Sequence, residues 1–173
     1  MAAGFEFKGN QFRFYYYYGA VDRFAEGTFE VHNDTIVLKS NKVPGEDFNI
    51  VKQSTEPGKF VVKVSDPNQY LVKYVICLVV TGDKTEVFEA NKEGVIECTV
   101  EKTSKVYIRH ELFPDIPTLL KDENSTLNYF EVTLKPSLAG VSFKGIDLFI
   151  KDDHLTWHPN YFIGASDVRF VKQ

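Results

Sequence analysis

Between Gln11 and Tyr18 the even positions are Phe12, Phe14, Tyr16 and Tyr18, and the odd ones Gln11, Arg13, Tyr15 and Tyr17. Successive side chains of a β-strand point to opposite faces, so this stretch predicts a strand with one wholly aromatic face and one mixed face. Thr28–His32, Thr35–Ser40, Lys59–Ser65, Lys73–Val80, Gly94–Glu101, Lys105–His110, Asn128–Lys135, Asp147–Lys151 and Val168–Lys172 read the same way. About eleven short strands separated by turn residues predict an all-β fold, a two-sheet antiparallel β-sandwich or an open barrel. Only Ile116–Lys121, which follows a Pro-containing stretch, reads as a helical turn or two.

Two hairpins can be set in register from their loops. With Asn33-Asp34 as a two-residue loop, Val31 falls opposite Ile36 and Phe29 opposite Leu38, so the apolar side chains share a face. With Asp152-Asp153 as the loop, Ile150 falls opposite Leu155 and Leu148 opposite Trp157. Ser54-Thr55-Glu56-Pro57-Gly58 combines Pro and Gly with polar neighbours and is the best internal boundary. The chain therefore reads as one β domain, residues 1–173. A possible subdivision sets an N-terminal meander, 1–55, against a sandwich, 59–173.

Composition strengthens the β reading. The 173 residues hold twenty Val, fifteen Phe and nine Tyr against seven Ala and one Met. Val, Phe and Tyr suit a pleated, half-buried surface, whereas Ala and Met suit helices. A net charge of −4 argues against nucleic acid as a partner, because such modules concentrate basic residues. The longest apolar run, Tyr74–Val80, is seven residues, far short of the roughly 20 that span a bilayer as a helix. Met1-Ala2-Ala3-Gly4 runs into Phe5-Glu6-Phe7 without a secretory-signal pattern.

Motifs for chemistry are scarce. His154 and His158 have the i, i+4 spacing of a helical zinc pair, but their flanks are strand-like. Four residues of strand would hold them about 13 Å apart, so no metal or cofactor is expected there. The acidic pairs Glu46-Asp47 and Asp152-Asp153 sit at predicted turns, and no Gly-x-Ser-x-Gly elbow or phosphate-cradling glycine loop occurs. Cys77 and Cys98 lie in predicted strands as small buried hydrophobes. Whether they pair depends on an α-carbon separation under about 7 Å, which spacing alone leaves open.

The aromatic surplus is the remaining signal. If Phe12, Phe14 and Tyr16 are buried, Arg13, Tyr15 and Tyr17 project from the opposite face, and Tyr and Arg are favoured at recognition surfaces. Trp157, His158 and Tyr161 form a second cluster, expected on a loop after a hairpin strand, where exposed rings could stack on sugars or anchor a protein. These six are the candidate ligand-binding residues.

Gly27-Thr28-Phe29-Glu30-Val31 followed by Asp34-Thr35-Ile36-Val37-Leu38-Lys39-Ser40 resembles a hairpin of small Bacteroidetes-type β proteins, many of them secreted or lipid-anchored. From about Phe60 to Leu134 the layout is similar to carboxypeptidase regulatory-like, transthyretin-type sandwiches. There a strand pair like Val61–Ser65 and Val75–Val80 precedes an acidic Gly-containing turn, here Asn91-Lys92-Glu93-Gly94-Val95-Ile96. The resemblance implies a non-catalytic scaffolding or surface-recognition domain and an extracytoplasmic location. The expectation is thus a monomeric binding module with a protein or glycan partner. An inhibitor or immunity-type protein, or a carboxylate-based hydrolase, are the competing readings.

Overall fold

A computed structural model describes residues 2–19, 21–164 and 168–172. In chain order the strands are β1 (Ala2–Lys8), β2 (Gln11–Tyr18), β3 (Val21–His32), β4 (Thr35–Ser40), β5 (Phe48–Ser54), β6 (Phe60–Ser65), β7 (Val75–Thr81) and β8 (Lys84–Glu89). They continue with β9 (Val95–Cys98), β10 (Lys105–His110), β11 (Thr118–Lys121), β12 (Tyr129–Leu134), β13 (Asp147–Ile150), β14 (His154–Thr156) and β15 (Arg169–Val171). A one-turn helix, α1 (Gln69–Val72), and a 3-10 turn, Pro136–Ala139, complete the described elements. The fold is all-β, as the alternation predicts.

The chain forms two compact units. The first runs to Pro44 and resumes at Ala139; the second, Gly45–Leu138, is inserted between β4 and β13. The division therefore does not fall at Ser54–Gly58, which connects two strands of the second unit that pair with opposite sides of β12.

In the first unit seven strands form one sheet in the order β1-β2-β3-β4-β13-β14-β15, with every neighbouring pair antiparallel. The sheet curls until β1 and β15 approach, with the Phe5 and Phe170 rings edge-on at 4.9 Å. Strand β3 makes this curl possible. Its first half pairs with β2 and its second with β4, and at the crossover a Cβ on Gly27 would strike the β4 backbone at Lys39 and Ser40. Only glycine fits that bend. Phe12, Phe14, Phe143 and Trp157 fill the interior, with Ile36, Leu38 and Leu148 beside them. The Asn33-Asp34 hairpin has the expected register, Val31 opposite Ile36 and Phe29 opposite Leu38, and Asn33 takes the left-handed conformation at φ 57°. Ile150 likewise faces Leu155.

In the second unit two four-stranded sheets, β11-β10-β7-β8 and β5-β12-β6-β9, enclose a mainly aliphatic core. One pair, β6 with β12, is parallel, which departs from the fully antiparallel sandwich expected. Ile116–Lys121 also differs from expectation. Thr118–Lys121 is strand β11 instead of helix, paired with β10 through a bulge that skips Leu120 and turns both Leu120 and Lys121 inward. The Lys121 ammonium reaches the carbonyls of Lys102, Ser104 and Asp122 at 3.2, 2.9 and 3.0 Å. All three of its donors are thereby used.

Candidate functional site

The strands β1, β2 and β3 carry the candidate site on the outer face of the first unit. Their registers align side chains in cross-strand rows. Lys8, Gln11 and Thr28 make the first, Glu6, Arg13 and Glu26 the second, Gly4, Tyr15 and Phe24 the third, and Ala2, Tyr17 and Asp22 the fourth. Alternation produces this face directly, because the intervening residues Phe12 and Phe14 are both buried.

The third and fourth rows form an aromatic platform. Tyr15 and Tyr17 stack at 5.7 Å between centroids with 30° between planes. Tyr17 is 49% exposed and Phe24, opposite Tyr15, is 52% exposed. Tyr15 is half-buried because its ring lies over Gly4, where any Cβ would overlap the ring atoms. Glycine on β1 thus gives the tyrosine a flat seat.

The first and second rows are polar. They border a cavity of about 330 Å³ lined by Glu6, Lys8, Gln11, Arg13, Glu26 and Thr28 among others. Arg13 and Glu26 pair at 3.0 Å, and both are well exposed. Such a pair contributes on the order of 0–1 kcal/mol, so its partners can be re-engaged by a ligand at little cost. One face therefore places stacking rings beside hydrogen-bonding and charged groups of both signs.

The remaining candidates lie elsewhere. Trp157 was expected on an exposed loop, but it is only 2% exposed. It packs edge-on against Phe5 at 6.0 Å and Phe170 at 5.0 Å, inside the curled sheet. The alternation that points Leu148 inward points Trp157 inward too, and this burial removes the ring from any recognition surface. Its indole nitrogen has no hydrogen-bond partner among the described residues. His158 is exposed with its ring 4.6 Å from Phe149 on β13, three places along the sheet from β2. Tyr161 is half-buried, and its hydroxyl and that of Ser142 are hydrogen-bonded at 2.9 Å. Arg13, Tyr15 and Tyr17 are brought together; Trp157, His158 and Tyr161 do not join them.

Phe24 escaped the sequence reading because its surroundings invert the usual polarity. Its neighbour Arg23 points inward, with Nε and Nη2 each 3.0 Å from the carbonyls of Ala139 and Gly140 and the guanidinium 4.9 Å from the Phe162 ring. The signal that could have found it is Gly19 between two strand-like runs, since pairing Tyr18 with Val21 puts Tyr15 opposite Phe24.

His154 is engaged by its neighbour, with Nδ1 2.6 Å from the Asp153 carboxylate. That hydrogen bond, reinforced by the histidine's charge, holds the Asp153 carboxyl below its ordinary range. The fold class is thus an all-β protein with a curled seven-stranded unit carrying a rimmed aromatic face and an inserted sandwich. The chain matches no protein-family model, no curated protein and no solved structure.

Proposed function

We propose that the protein is a non-catalytic binding module that recognises its partner through the outer face of β1–β3. Tyr15, Tyr17 and Phe24 supply the contact area and Arg13 with its polar neighbours the orientation. The observation that carries this reading is the adjacency of two unlike surfaces on one sheet. A stacked tyrosine pair with an exposed phenylalanine abuts a cavity whose lining includes Arg13 and Glu26. Flat rings beside convergent polar groups suit a glycan, whose C–H faces stack on tyrosine while its hydroxyls take hydrogen bonds. A protein partner anchored by the same Tyr and Arg side chains is the second reading, supported by their frequency among interface hot spots.

The test is a glycan array run beside protein capture, with wild type and the Tyr15→Ser/Tyr17→Ser/Phe24→Ser variant compared at equal thermal stability. Retention by wild type on glycans, reduced at least about tenfold in the variant, supports the first reading, since losing about 1.4 kcal/mol of contact has that effect. Loss confined to a captured protein supports the second. Equal retention by wild type and variant on every ligand rejects the face as a recognition surface.

A further inference from the structure

The chain has only two cysteines, and the second unit brings both into one core. Cys77 lies mid-strand on β7 and Cys98 ends β9, strands that belong to different sheets and approach each other across the interior. Each thiol points inward. Cys77 is bracketed by Phe88 and Ile108 on its neighbouring strands, and Cys98 faces Phe60. Both are free thiols, buried to within 2% of complete.

We propose that Cys77 and Cys98 are a modification site, closing a single inter-sheet disulfide when the chain folds in the presence of a disulfide oxidant. Strands β7 and β9 meet within that core with both thiols directed into it, and hydrogen bonding to Cys98, then burial, push the Cys77 thiol well above its ordinary pKa. Burial fixes when the reaction occurs. Exchange requires a thiolate and access for the oxidant; the folded core keeps the oxidant from both sulfurs and disfavours the Cys77 thiolate. Bond formation therefore belongs to folding, while β7 and β9 are still open to solvent. In the balanced reaction one cysteine loses its proton and attacks the disulfide of oxidised glutathione, releasing one glutathione thiol. The second cysteine, also deprotonated, displaces the other. Two glutathione molecules carry away the two protons and two electrons, and one S–S bond joins β7 to β9. The loop so closed is about 22 residues long, enough to restrict the unfolded chain appreciably.

The experiment uses the full chain in three samples. One is native protein incubated with oxidised glutathione, one is denatured and refolded in a glutathione redox buffer, and one is refolded with reductant alone. Intact mass, non-reducing peptide mapping and thermal melting are read on each. The expected result is unmodified thiols in the native sample and a mass lower by two hydrogens in the redox-refolded one. A Cys77–Cys98 cross-linked peptide should appear in that sample alone. Its melting midpoint should rise by about 5–10 °C over the reduced sample, and the rise should vanish when reductant is added. Glutathione adducts on single cysteines, refolding that leaves both thiols free, or a cross-linked form that melts below the reduced one would each overturn the proposal. Because wild type in reductant is the reference, no core variant need fold for the result to be read.

Discussion

The two units solve the same problem, covering a β-sheet's apolar face, with different side chains. The first fills its interior with Phe12, Phe14, Phe143 and Trp157, and the second with Val62, Val64, Val75, Val79, Val106 and Val132 around Ile96 and Ile108. The difference follows from how each sheet is covered. A single sheet curling toward closure leaves a wide space that strands from all sides must fill together, and long aromatic rings reach across it. Two facing sheets stand about 10 Å apart, a gap that β-branched side chains fill from both sides without rotamer strain. The curled unit also accepts local cost for its rings. Phe143, nearly fully buried, sits at φ 47°, a conformation uncommon for bulky residues, and its ring contacts Phe12 at 5.6 Å and Phe14 at 5.0 Å.

The contrast predicts unequal sensitivity to truncation. Trp157→Ala should destabilise the first unit by about 3–5 kcal/mol, while Val62→Ala should destabilise the second by about 1–3 kcal/mol. The chain has one tryptophan, so its emission in the Val62→Ala variant follows unfolding of the first unit, and circular dichroism follows both. Wild-type emission should be blue-shifted, as expected of an indole this deeply buried. A Trp157→Ala cost no larger than that of Val62→Ala would mean the aromatic interior is loosely filled and the comparison is mistaken.

A smaller effect separates the units by their buried charges. In the first, Arg23 binds the carbonyls of Ala139 and Gly140; in the second, Lys121 binds three carbonyls around the bulge in β11. Lys121→Met keeps much of the apolar stem but leaves those carbonyls without the ammonium. It should cost about 1–3 kcal/mol in denaturant melts. A neutral result would show that water satisfies the loop and that the ammonium is dispensable.

What could be read in advance tracks how local the cause is. The β3–β4 hairpin was legible because a turn and an alternation, both within twelve residues, agree on one register. The first half of β3 was not, since Arg23 faces inward only because carbonyls more than a hundred residues away receive it. Strand β8 was missed because as an edge strand it is almost wholly exposed and shows no buried face. Thr118–Lys121 looked helical because the bulge breaks its period of two. In the candidate site Arg13, Tyr15 and Tyr17 followed from alternation on one strand. Gly4 and Phe24 needed the registers of β1 and β3 against it, which the alternation of one strand does not carry.

The finest comparison lies within β2, where neighbouring residues separate core from surface. Tyr17→Ser should change stability by no more than about 0.5 kcal/mol, because the ring is half exposed and, among the described residues, stacks on Tyr15 alone. Tyr15→Ser should cost slightly more, up to about 1 kcal/mol, because it uncovers Gly4 and removes a cross-strand contact with Phe24. Phe14, one residue from Tyr15 but buried against Phe5 and Phe143, sets the upper mark for the same strand at about 3–5 kcal/mol on truncation to alanine. Thermal or chemical melts of the three variants, made singly, would reveal the order. Were Tyr17→Ser to cost as much as Phe14→Ala, the outer face would be structural, because a ring free to meet a partner cannot also carry the energy of a filled core.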